Sequence, residues 1–157
     1  MWKLITTFTI LLFSLHSVLG IAEQSYSSDD SLLLQVKLLI TRGEGSQEEL
    51  EYINSSLDKI ESDSLKHEVS FYRSLALIKS GSLNQAEVVD LLESAKQANH
   101  PLAIALLYKI YSEPYLRDEK CSDKAEALKA HYLDLYNQNL IPAEFETALS
   151  AINKMVL

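Results

Sequence analysis

From about residue 31 to the C-terminus, apolar residues recur at intervals of three and four, the spacing that gathers side chains on one face of an α-helix. This pattern predicts seven helices, at about 31–42, 47–61, 65–80, 85–98, 101–113, 123–138 and 142–155. Their ends carry chemical signals. Ser46 with Glu49, and Asn84 with Glu87, each set an acceptor oxygen three residues ahead of a carboxylate that can reach back to the free amides of a helix start; Asp123 with Glu126 approximates the arrangement. Pro101 and Pro142 suit first helical positions, where a missing N–H costs nothing, and Gly43 and Gly81 follow helical runs that a left-handed residue can end. Short polar joints between such helices predict antiparallel neighbours.

One segment is apolar all round. Between Pro101 and Tyr111 the only charge is Lys109, so this helix must be enclosed by others. Burying its leucines and isoleucines yields roughly 1.5–3 kcal/mol each, which predicts that Leu107→Asp unfolds the domain whereas Lys109→Asp matters little. The hairpins also superimpose on one another in sequence. A shift of 38 carries Leu39, Ile40, Gly43, Gln47, Glu49 and Ile53 onto Leu77, Ile78, Gly81, Gln85, Glu87 and Leu91. A shift of 33 carries Ser70 onto Ala103 and Ile78 onto Tyr111, and one of 41 carries Gln97 and Pro101 onto Gln138 and Pro142. The segment Ser112 to Cys121 is about eight residues longer than its counterpart, an insertion that accounts for the change of period. Amphipathic hairpins of this kind cannot bury their apolar faces alone and so stack.

These residues resemble the Sel-one-like repeats, relatives of the tetratricopeptide repeats. Ala103, Leu107 and Tyr111 supply the small-x3-Leu-x3-Tyr of that family's first helix. The run Glu87 to His100 looks like its Ala-rich second helix closing on Gly or Asn, and Lys124-Ala125 looks like the opening of the next one. Departures include Ile78 for the tyrosine, Ser74 for the leucine, Val88 for the usual alanine, and Asn139 or Leu140 for the glycine of the last joint. The likeness is good over about residues 84–130 and faint elsewhere. It implies an all-α stack of antiparallel helical hairpins, an α-α superhelix, serving as an adaptor surface in protein assemblies. The family motif contains no catalytic residues to carry over.

The N-terminal stretch has a different purpose. Lys3 precedes an almost wholly apolar run from Leu4 to Leu15, followed by small residues, the layout of a secretory signal peptide over residues 1–20. Val18 and Gly20 fit cleavage before Ile21, and Gly20 and Ala22 fit cleavage before Glu23. The apolar run is short of the ~20 residues a spanning helix needs. A polar, Ser-rich leader at 21–30 then precedes a helical repeat domain at 31–157, and the expected location is periplasmic or secreted. In an oxidising compartment the single cysteine, Cys121, is either free or paired between two chains as a disulfide-linked dimer.

Composition narrows the function classes. Fourteen basic against 22 acidic residues give a net charge of −8, which argues against a grip on nucleic-acid phosphates. The acidic excess serves either as a solubilising coat or to steer a basic partner. His67, His100 and His131 lack partners at ligand spacing, there is no cysteine pair, and the carboxylates Glu48, Glu49, Glu51, Asp118 and Glu119 read as solvated charges; no metal or cofactor is implied. No nucleophile elbow, zinc-protease, phosphate-loop or dinucleotide motif occurs, so no catalytic residue is nominated. Five of the 8 tyrosines lie between Tyr108 and Tyr136, and amphipathic rings of this kind suit protein contacts. Tyr111 is assigned to the core. Tyr108 and Tyr132, with Tyr115 and Arg117 in the long insertion, are the expected partner-binding residues. The expected function is a non-enzymatic exported adaptor. Rivals are a small exported enzyme or regulator of a cell-envelope enzyme, and an accessory subunit stacked on another repeat protein.

Overall fold

The structure, a computed structural model, describes residues 27–81, 84–113 and 121–156. Among them are seven α-helices and no strand: α1 Ser28–Arg42, α2 Gln47–Leu57, α3 Lys66–Lys79, α4 Gln85–Gln97, α5 Pro101–Ser112, α6 Ser122–Asn137 and α7 Phe145–Val156, with a single 3₁₀ turn, Asp63–Leu65, before α3. The signal-peptide segment and all of the leader up to residue 26 lie outside the described residues. None of the described helices is long and apolar enough to cross a membrane.

The number and order of helices follow the periodicity, and the differences at their ends have local causes. α1 starts at Ser28, inside the stretch expected to be leader, because Ser27 and Asp30 form a full reciprocal cap. Ser46 and Glu49 do the same for α2. At α4 Asn84 accepts the Glu87 N–H, while the Glu87 carboxylate takes the Asn84 side-chain amide and not the backbone, so half of the expected box forms. The Asp123 cap does not form at all: α6 opens at Ser122 after Cys121, which puts Asp123 inside the first turn. α2 stops at Leu57, four residues early. Its chain then turns, and the Asp29 carboxylate accepts the Glu61 and Ser62 amides at 3.2 and 2.9 Å, tying this joint to the first turn of α1.

Glycine roles also differ from expectation at one position. Gly81 is left-handed, with φ 68°, but Gly43 is extended, and the left-handed residue of that joint is Gly45, with φ 71°. Gly43 is needed for another reason: a Cβ there would lie 2.4 Å from the Leu39 carbonyl oxygen. At two further joints asparagine takes glycine's place. Asn99 and Asn139 have φ 58° and 57°, and the next amides, His100 and Leu140, donate back to Ala95 and Leu135. These two left-handed residues lie 40 positions apart. Pro101 sits at the start of α5, whereas Pro142 falls in the joint three residues before α7.

Packing follows chain order for six helices, with α1 also meeting α3. α3 lies on α4 and α5 on α6 most extensively, α1 pairs with α2, and α2 on α3 and α4 on α5 link the hairpins. α5 is enclosed as its composition requires: Ala103 to Leu107 and Ile110 have no exposed surface, and Tyr111 is buried with them. Lys109 is buried too, 8% exposed, contrary to the expected surface position; its Nζ meets the Glu113 carboxylate at 2.9 Å. α7 departs from chain order. It packs on α5 and also on α3, α1 and α6, so it lies across the first helices of all three hairpins. α7 thus reaches past the neighbouring third hairpin to the first two.

Candidate functional site

Three places bring chemistry-bearing side chains together. The first is the seat of α7. Phe145, at the start of α7, is met edge-on by Tyr108 of α5 at 5.0 Å and by Tyr132 of α6 at 5.1 Å, the geometry in which the positive edge of one ring faces the negative face of another. Lys129 Nζ lies 5.4 Å from the same ring. Tyr132 is fully buried, and its hydroxyl donates to the Ala143 carbonyl at 2.9 Å, which fixes the chain just before α7. Burial first, and the neighbouring Tyr136 second, hold the Tyr132 phenol above its ordinary pKa. Tyr132 as a partner contact is therefore corrected: it has no surface to offer, and its one polar atom is used within the chain. Tyr108 is part-buried against Phe145. The structure thus unites two of the four nominated residues, around the protein's own last helix. Tyr115 and Arg117 lie outside the described residues.

The second place is an open cleft of about 450 Å³ between α4 and α6, with Tyr111 of α5 lining it. Lys124 Nζ stands 5.1 Å from the Tyr111 ring, Lys96 pairs with Glu93, and the exposed His131 completes the rim. Lys96, Lys124 and His131 thus stand against a single carboxylate in an otherwise acidic protein. Tyr111, which lines the cleft, accepts the Cys121 N–H on its carbonyl at 2.9 Å, and Cys121 keeps a part-exposed free thiol.

The third place is a charged cluster joining α1, α3 and the start of α5. His100 accepts the Ala103 N–H on Nδ1 at 3.2 Å, capping α5, so the neutral ring carries its proton on Nε2, 3.5 Å from the Glu68 carboxylate. Lys37 Nζ meets the other Glu68 oxygen at 3.2 Å and lies 5.5 Å from the Tyr72 ring. The hydrogen bond to His100, aided by Lys37 and opposed by partial burial, lowers the Glu68 pKa from 4.5 to about 2. Burial, with the Glu68 charge beside it, pushes the Tyr72 phenol up. His100 also stacks on Phe71 at 4.5 Å. This cluster binds three helices together. As acid–base machinery it is ill-suited, because capping occupies the ring nitrogen a general base would use.

Sequence reasoning missed the last two places, since their members lie on separate helices. The intervals Glu93–Lys96, Glu68–Tyr72 and His100–Ala103 could be read locally, but not what brings them together with the other members. Among the described residues, no group of three or more histidines, cysteines or carboxylates is placed to hold a metal ion. No family model, no curated protein and no solved structure matches the chain.

Proposed function

We propose that this chain is an exported, non-enzymatic adaptor built from helical hairpins of the Sel-one-like, tetratricopeptide-related kind, and that it holds a segment of another protein in the cleft between α4 and α6. Consecutive pairing of α1 with α2, α3 with α4 and α5 with α6 supports the hairpin organisation. The observation that carries the binding function is the cleft's rim: Lys96 and Lys124, against the one carboxylate Glu93, border a space of about 450 Å³ that His131 also lines. Such a rim suits an acidic segment. Rigid helices on either side leave little ordering entropy to oppose its binding. Crosslinking with mass spectrometry in the native host tests this. A partner linked to Lys96 or Lys124, and lost from the Lys124→Glu chain while helical content is unchanged, is the expected result. Turnover by the purified chain that one carboxylate or histidine substitution abolishes would instead establish an enzyme.

A second reading has its own observation. Leu34 and Leu38, 53% and 42% exposed, form an apolar ridge one turn apart on α1, at the outer end of the hairpin series. An accessory subunit that stacks on another repeat protein would cover such a ridge. A mass that rises with concentration in light scattering supports the self-stacking form, and a strict monomer counts against it.

A further inference from the structure

The geometry points to a proton-operated latch at the joint between α4 and α5: with one ring proton His100 holds the start of α5 by the Ala103 N–H, and with two it gives up that amide and stays with Glu68. This is a device of the fold, independent of the α4–α6 cleft and of the adaptor reading. The joint depends on one ring. Pro101 opens α5 without an N–H, the first turn of the helix carries no acidic residue, and the side-chain acceptor for the Ala103 amide is His100 Nδ1 at 3.2 Å. Ala103 has no exposed surface, so water has no access to replace that acceptor when it is lost.

A second proton puts two demands on the ring that one position cannot meet. Protonated Nδ1 is a donor and would face another donor, and the new charge stands at the positive end of the α5 dipole. Glu68, whose carboxylate lies 3.5 Å from Nε2, favours the charged ring. His100 and Lys37 hold that carboxylate well below its usual range, so it stays ionised through mildly acidic medium. Phe71, stacked 4.5 Å away, takes the charged ring as it does the neutral one. The other groups about the ring leave the conflict standing. Lys37 of α1 meets the second Glu68 oxygen at 3.2 Å and tempers its pull, and the uncharged Tyr72 lies beyond it. His67 of α3 is engaged at 2.9 Å with the Ser94 carbonyl of α4, and Lys96 of α4 pairs with Glu93. Among the described residues His100 makes no ion pair other than that with Glu68. The ring thus has two places, the α5 cap when neutral and Glu68 alone when charged. Imidazole is the side chain that ordinarily changes charge between about pH 8 and 5.

Nuclear magnetic resonance of the full, nitrogen-labelled chain between about pH 8 and 5 tests the latch. The ring nitrogen shifts report the second proton, and the coupling across the Ala103 N–H···Nδ1 bond reports the cap. That coupling should be present while the ring is neutral and be lost in step with its protonation. The Glu68→Gln chain, deprived of the attraction, should keep the coupling to a lower pH. In the His100→Asn chain, where an amide oxygen caps as Asn84 does at α4, the Ala103 amide shift should not move over the range. A coupling absent from the neutral ring, or one that persists once the ring is charged, overturns the inference, as does a ring still neutral at about pH 5. So does an Ala103 shift that moves equally in the His100→Asn chain, or a Glu68→Gln chain that loses its cap at the same pH as the unaltered one. The unaltered chain alone decides the first three outcomes, so a variant that fails to fold leaves the test intact. None of them bears on the α4–α6 cleft, which is read by crosslinking.

Discussion

Glu68 shows how one side chain couples pH to the fold. Its pKa falls from 4.5 to about 2 on folding because His100, then Lys37, favours the ionised form. A depressed carboxylate pKa means that the unfolded chain binds the proton more tightly. The contribution to stability is therefore complete above about pH 4.5 and disappears as pH falls toward 2. Denaturation of the unaltered and Glu68→Gln chains should differ at pH 6, with the gap closing between pH 4.5 and 2; a constant gap would mean that Glu68 acts without its charge. Lys109 carries the opposite lesson. Its sequence position, the lone charge of an apolar helix, suggested a harmless surface site, yet its stem is buried and its ammonium reaches Glu113. Lys109→Asp places a second carboxylate in that site and should cost about 3 kcal/mol in urea denaturation, approaching Leu107→Asp in effect.

Helices and their joints were legible to different depths. Existence and order were read correctly because each helix repeats its apolar spacing over three or more turns, a signal no single residue can spoil. Ends were read where one side chain decides them, as at Ser46, and misread where a distant group does. Nothing within residues 57–61 announces that Asp29 of another helix will take the Glu61 and Ser62 amides, nor does Pro142 announce that the Tyr132 hydroxyl holds the carbonyl after it. Of the candidate sites, the aromatic residues could be nominated from their clustering, but not that Phe145 of the last helix would sit between two of them. The asparagine joints give a clean test. Asn139 at φ 57° is tolerated because its short amide lessens the left-handed penalty, so Asn139→Gly should leave stability unchanged, while Asn139→Ala should lower it by about 1 kcal/mol. Equal stability of the two variants would show that the joint relaxes out of this conformation.

Over the whole molecule the question is whether α7 belongs to one cooperative unit with the hairpins or opens apart from them. α5 is the most deeply buried helix among the described residues, and its amides are expected to exchange only when the domain unfolds. α7 keeps one face to water, although Phe145 and Ile152 are buried toward its two ends, and is expected to open while the rest persists. Two core substitutions separate the cases. Leu57 is 1% exposed on α2, which α7 does not appreciably touch, and Leu57→Ala should cost about 3 kcal/mol of global stability. That loss should appear in full in the exchange of α5 and be absent from α7, because contacts on α2 survive when α7 alone opens. Ile152 is fully buried on α7 itself, so Ile152→Ala should speed exchange in both helices by similar factors. Native-state hydrogen exchange at single-residue resolution reads all four combinations. If Leu57→Ala accelerates α7 as much as α5, α7 unfolds only with the domain.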